Sequence, residues 1–241
     1  MSLESINAYS LPERVATYDA DMALMHPNRS KMVQIALDVL PFKPQAPLIA
    51  LDLGIGTGFF SQAVLDHFSN SRIIAIDGAE AMVELAKVRL GSLAGRVDFR
   101  IGDFRRLSHI IGNQRGQLVF SSYALHHLNR NEKLAVVRQA LGFLKSGGWF
   151  LNADLVVASD PKVEKRIQEI RVRGIVQRAS GRDRRFRDFE STRHFLDKLE
   201  AGDHDQPLKL DEDLQVLKES GLRNASVFWL EYREAVTGGS K

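Results

Sequence analysis

The chain has 241 residues, 44% of them hydrophobic, and a formal net charge of +3. That length suits one sizeable core, and every apolar run is broken by charge well short of the roughly 18 residues a membrane-crossing helix needs. With no cysteine, disulfides, thiolate metal sites and a cysteine nucleophile are excluded, which fits a cytoplasmic setting.

The opening "MSLESINAYSLPERV" lacks the basic start and apolar stretch of a secretory signal. Residues 1–45 combine a polar-aromatic stretch, "ERVATYDADMALMHPNRS", with the helix-like "RSKMVQIALDVL". From Leu48 the chain alternates strand and helix patterns. "LIALDLG" reads as a buried strand and residues 57–68 as the helix after it. "RIIAIDG" is a second strand, and the helix that follows puts Met82, Leu85, Ala86 and Leu90 on one face. "VDFRIGD" and "QLVFSSYAL" are the third and fourth strands. A helix over residues 132–144 then runs to "KSGG", and "WFLNADLVV" is the fifth strand. This alternation predicts a parallel sheet covered on both faces. Residues 160–210 form a long insertion. "DEDLQVLKESG" is a last helix with Asp211 as its N-cap, and "ASVFWLEY" and "EAVTGGSK" are too close for a helical crossover, so they pair as an antiparallel hairpin. Residues 1–241 are expected to be one domain, with a lid at 1–45 and a helical cap at 160–210.

The first strand runs into D-x-G-x-G-x-G, with Asp52 in front and glycines at 54, 56 and 58. Such a turn lets ligand atoms reach backbone N–H groups without a Cβ in the way, but alone it fits a merely tight turn equally well. The dinucleotide fingerprint would need glycine at position 59, where Phe59 stands. Asp77 ends the second strand about twenty residues on, placed to accept both hydroxyls of a ribose and to repel a 2′-phosphate. The competing role is capping the helix from Ala79. Asp103 can accept from an adenine amino group or cap a helix. Met82 can flank the adenine or fill the core.

Together, "ALDLGIGTGFF", "IIAIDGAEAM", "IGDF", "LVFSSYALHHL" and "LKSGGWFLNADLV" resemble the class I S-adenosylmethionine-dependent methyltransferases over Leu48 to Val157, on the small-molecule branch with an N-terminal lid. The resemblance implies an α/β, Rossmann-like seven-stranded sheet, and S-adenosylmethionine as cofactor. It implies a cofactor set of Tyr18, Asp52, Gly54, Gly56, Thr57, Gly58, Asp77, Gly78, Met82, Asp103, Phe104 and Ser121. Within that set the glycines border the methionine part, Asp77 holds the ribose, and Asp103 and Phe104 meet the adenine. The span Ser121 to His126 runs beside the sulfonium, and Tyr18 closes over it.

Methyl transfer from a sulfonium rewards alignment, water exclusion and aromatic walls, for which Tyr18 and Tyr123 are the candidates. His126 and Tyr123 are the catalytic candidates. His126 is a general base on one reading and a packing or capping residue on the other. Asp154 could grip substrate or cap a loop. No metal set is expected: the histidines are scattered, and "HDQ" around His204 lies in a loop. The arginine-rich insertion suits an anionic small molecule, nucleic acid phosphates, or a solvated face with intrahelical ion pairs. Thin aromatic interleaving weighs against nucleic acid. The expected activity is methylation of a small, anionic acceptor, with no membrane partner and a homodimer left open. The alternatives are a carboxy-S-adenosylmethionine synthase-like enzyme of tRNA modification, which would use Arg29 or the insertion to touch a carboxylate, and a nucleic-acid-binding or regulatory protein that retains the pocket.

Overall fold

In the computed structural model, which describes residues 3–181 and 183–241, the branched apolar runs become β1 (Ile49–Leu53), β2 (Arg72–Asp77), β3 (Val97–Ile101), β4 (Gly116–Ser122) and β5 (Leu144–Leu155). The hairpin supplies β6 (Arg223–Glu231) and β7 (Glu234–Ser240). The sheet order is β3-β2-β1-β4-β5-β7-β6. The first five strands run parallel, and β7 is antiparallel to both β5 and β6. Strand order reverses between β1 and β4, and a crevice opens at such a switch point beyond the strands' carboxyl ends.

Helices cover both faces. They are α1 (Leu3–Ala8), α2 (Pro12–Met25), α3 (Arg29–Asp38), α4 (Phe59–His67), α5 (Glu80–Leu90), α6 (Leu107–Ile111), α7 (Arg130–Phe143), α8 (Pro161–Ala179), α9 (Phe189–Asp203) and α10 (Leu210–Glu219). One face buries Val64, Phe68, Met82 and Phe120. The other buries Phe104, Val137, Phe143 and Phe150. A third, smaller cluster joins Met25 of α2 to Val172 and Ile175 of α8 and Leu196 of α9. Among the described residues no helix is long and apolar enough to cross a membrane.

Local chemistry sets the helix ends. Asn129 and Glu132 form a reciprocal capping box on α7, and Asp160 caps α8 ahead of Pro161. The expected cap of the last helix is corrected. Lys209, not Asp211, precedes α10, because Lys209 is already fixed by a bridge to Val157. Asp211 instead lies in the first turn, where a carboxylate suits the helix dipole. β5 also starts earlier than "WFLNADLVV", since Gly116 pairs with Leu144 before a bulge. Lys133 of α7 and Asp213 of α10 make a buried ion pair at 2.7 Å.

Candidate active site

The β1 turn rises over the switch point. Gly54 has φ 82°, and a Cβ there would stand 2.6 Å from that of Ala124; Gly56 has φ 53° and open space where a Cβ would point. Gly58 packs instead on Ala86 of α5. Asp77 ties this turn to the end of β2. Its carboxylate accepts from the Gly56 N–H at 2.8 Å and the Ala79 N–H at 2.9 Å. Asp77 thus braces the entry to α5, whose N-cap is Ala79 with no side-chain cap bond, and each oxygen keeps a lone pair for a further donor.

The cleft beneath is lined by Asp52, Gly54, Gly56, Asp77 and Met82, with Tyr9, Tyr18, Tyr123 and His127 as its aromatic wall. Both acids are buried. Burial lifts Asp52 to about 7, against the pull of the Ser61 hydroxyl bonded to it at 2.6 Å, and burial raises Asp77 too. Two desolvated carboxylates facing aromatic rings make a cleft that favours a cation. An aminoacyl sulfonium nucleoside carries such charge, and the bare backbone at Gly56 leaves room for it, so the residues fit S-adenosylmethionine.

Other expected positions fall around this centre. Phe104 is fully buried, behind Gly54. Asp103 caps the turn after β3, accepting from the backbone and side chain of Arg105; burial pushes its carboxyl up, but Arg105 holds it below the usual range. The Thr57 hydroxyl donates to Asp19 at 2.9 Å, fastening the turn to α2. Gly78 lies under Ile6 of α1. Ser121 is turned into the sheet, donating to Leu53 O, and alternation along β4 gives the lining position to Ser122.

Tyr123 leaves the β4 ladder with φ 48°, an uncommon conformation for a bulky residue and one concentrated at functional sites. Its hydroxyl donates to Glu234 Oε1 at 2.7 Å. A 3₁₀ turn at Leu125–His127 follows. His126 Nδ1 bonds Asp154 Oδ1 at 2.6 Å, and its Nε2 faces Asp205 Oδ1 at 3.4 Å. Burial alone would lower this imidazole's pKa, but Asp154 and Asp205 raise it to about 10. Against the general-base reading of His126, its Nδ1 is taken up by Asp154, and the two neighbouring carboxylates favour the protonated ring. His127, beside it, is the histidine that lines the cleft.

The insertion closes over the lid. Arg185 bonds Asp21 through both terminal nitrogens, at 2.9 and 2.7 Å. Arg178 Nε donates to Leu24 O, and Asp203 accepts from Arg14 and from Tyr9. Arg171 pairs with Glu200, and Arg193 with Asp197. A second cavity lies beneath, walled by Met25, Leu155, Ile167 and Ile170 and edged by Arg171, Arg178 and Arg233 together with Glu231 and Glu234. A smaller cavity lies between them, sharing Tyr9, Tyr18 and Tyr123 with the cleft and Met25, His26 and Arg171 with the second cavity. Sequence reasoning passed over Tyr9, Glu234 and Asp205. Only Asp205 left a trace, within the "HDQ" set aside as loop.

Residues 50–148 match the family model described as a methyltransferase domain. An uncharacterized methyltransferase of Anoxybacillus flavithermus is 29% identical over 138 residues, 57% of this chain and 61% of that protein. A carboxy-S-adenosyl-L-methionine synthase of Campylobacter lari is 22% identical over 129 residues, 54% of this chain and 53% of its own. The chain spans about half the length of the curated relatives it matches. An O-methyltransferase family protein from Burkholderia thailandensis shares the fold, with a TM-score of 0.69 at 14% identity, over 100% of this chain and 64% of that one. Over residues 50–148 the chain is similar to the methyltransferase domain family, and its seven-stranded sheet, with the glycine turn and acid-lined cleft, is the fold of the class I S-adenosylmethionine-dependent methyltransferases.

Proposed function

We propose that the protein moves a methyl group from S-adenosylmethionine to a small acceptor bearing a carboxylate or similar anionic group. The observation that carries this is the second cavity, apolar along its walls, with Arg178 on an edge that also holds Glu231 and Glu234, and with a smaller cavity between it and the cofactor cleft at Tyr123. Arg178 folds back over Gly174, where a Cβ would meet its Nη1 at 3.0 Å. With Nε held by Leu24 O, its terminal nitrogens remain for an anion. Bound in the cleft, the cofactor supplies an electrophilic methyl; Tyr9, Tyr18 and Tyr123 exclude water and flank the cation, and the cap aligns the acceptor. Nucleic acid is no part of this reading, because Arg171, Arg185 and Arg193 of the insertion are committed to Glu200, Asp21 and Asp197.

The test is methyl transfer to a panel of aryl and alkyl carboxylates, with Arg178→Ala alongside. A raised KM with little change in kcat is expected for the variant. Turnover of neutral acceptors alone, or equal KM in both proteins, would refute the anionic assignment.

One observation favours a second reading. Arg29 lines the cofactor cleft, stacked 4.2 Å above the Phe59 ring, and its buried Nε has no hydrogen-bond partner. A guanidinium there could receive a carboxylate carried on the transferred carbon, as carboxy-S-adenosylmethionine would present. Mass spectrometry of ligand retained through purification decides: carboxylated cofactor supports this reading, and ordinary cofactor or its demethylated product supports the first.

A further inference from the structure

His126, His127 and Asp205 come together from 78 residues apart. The 3₁₀ turn after β4 sets the two imidazoles side by side, with ring centroids 4.1 Å apart. The loop after α9 is stapled to them by backbone: Gln206 N–H donates to His126 O at 2.7 Å, and Asp205 N–H to Glu200 O at 3.0 Å. Asp205 Oδ1 then lies 3.4 Å from His126 Nε2 and 3.1 Å from His127 Nδ1. His127 is 2% exposed, and its Nδ1 and Asp205 Oδ1 are both buried without a hydrogen bond of acceptable geometry. Buried polar atoms left this way call for an explanation.

We propose that His126 Nε2, His127 Nδ1 and an Asp205 carboxylate oxygen bind a divalent transition-metal ion. The three atoms lie within 4.8 Å of one another. Ligands about 2.0–2.2 Å from such an ion stand about 3–3.5 Å from each other, the spacing seen on both sides of Asp205. Two imidazoles and one carboxylate, with no thiolate, select a borderline ion such as zinc, cobalt or ferrous iron over calcium or magnesium. The layer behind is also in place. Asp154 accepts at His126 Nδ1 and so fixes Nε2 as the ligating nitrogen. Asp154 and Asp205 flank His126 with two carboxylates, and the ion replaces the proton that otherwise sits between Nε2 and Asp205.

His127 faces the cofactor cleft, while His126 and Asp205 line the smaller cavity between it and the second one. Three protein ligands leave coordination positions open at that junction, where an acceptor oxygen could bind and be polarised. That role rests on the methyl-transfer reading; the binding of the ion does not.

The probe is Co²⁺ added to chelator-stripped full-length protein, with metal content and visible absorption both measured. One equivalent per chain, with the intensified bands of a four- or five-coordinate ion, is expected for the wild type. His127→Gln and Asp205→Asn should lose it, and Asp154→Asn should bind about 10–100-fold more weakly. Circular dichroism checks folding of each variant, and affinity for S-adenosylhomocysteine is followed for Asp205→Asn, whose residue does not line the cleft, so loss of metal there with nucleoside binding kept separates this claim from the cofactor assignment. Should a variant not fold, the wild-type spectrum decides alone. Weak bands of hydrated Co²⁺, or uptake equal in wild type and variants, overturns the proposal.

Discussion

Ile6 of α1 stands against Gly78, so closely that a Cβ on that glycine would lie 2.6 Å from Ile6 Cγ1. Gly78 follows the Asp77 carboxylate, and Ile6 packs on the apolar cluster that holds Phe104. The helix thus occupies the space between the ends of β2 and β3 to which the family resemblance assigns the adenine. On the proposed cofactor assignment, the adenine would reach that space only with α1 displaced. Ile6→Ala should populate the open form and tighten S-adenosylhomocysteine binding by about two- to tenfold, because apparent affinity scales with the competent fraction. Calorimetry reads this directly; equal or weaker binding contradicts it.

Asp77 serves the turn, and on the proposed cofactor assignment it serves the ligand as well. Asp77→Ala removes the acceptor for the Gly56 and Ala79 N–H groups as well as for a ribose. Affinity for the nucleoside should fall by roughly 1–3 kcal/mol. Full affinity in a folded variant would remove the ribose assignment.

Asp52 gives the protein a pH signature. Its folded pKa is about 7, against 3.8 for the free side chain. The folded state therefore holds a proton that the unfolded chain releases. Stability from this group is present below about pH 4, declines as pH rises through 7, and is absent above. Asp52→Asn should melt higher than wild type at pH 8, by at most on the order of 4 kcal/mol, with the gap closing toward pH 4. A gap that does not vary with pH would count against the buried acid.

The Lys133–Asp213 pair joins α7 to α10, both side chains 1–2% exposed. Asp213→Ala strands a buried ammonium and should cost about 3–5 kcal/mol in chemical denaturation. Replacing both residues by apolar ones of similar size should recover most of that loss. Equal losses in the single and double variants would show that the cost lies in packing, not charge.

Sheet, hairpin and glycine turn were legible because each is written in short-range pattern: apolar runs, glycines at fixed offsets, an acid at a strand end. Asp77 was legible for the same reason, sitting where β2 stops. Asp205 was not. It meets His126 and His127 only because the loop after α9 is tied back by Gln206, and no local periodicity encodes that. The direction of Ser121 was lost to a single residue of strand phase. Tyr9 carried no signal beyond being aromatic, and its place depends on α9 offering Asp203 as its acceptor. The arginines of the insertion were correctly seen as unusual, but their partners on α2 could not be read from sequence.

Those partners have a consequence for ligand traffic. Arg185 with Asp21, Arg178 with Leu24, and Arg14 with Asp203 bind the N-terminal lid to the insertion, so on the proposed function nucleoside and acceptor would share a single door. Whichever ligand arrives first meets the entropic cost of closing it, and the second finds it already shut in the right shape. The two should bind with positive cooperativity, each strengthening the other by the same factor.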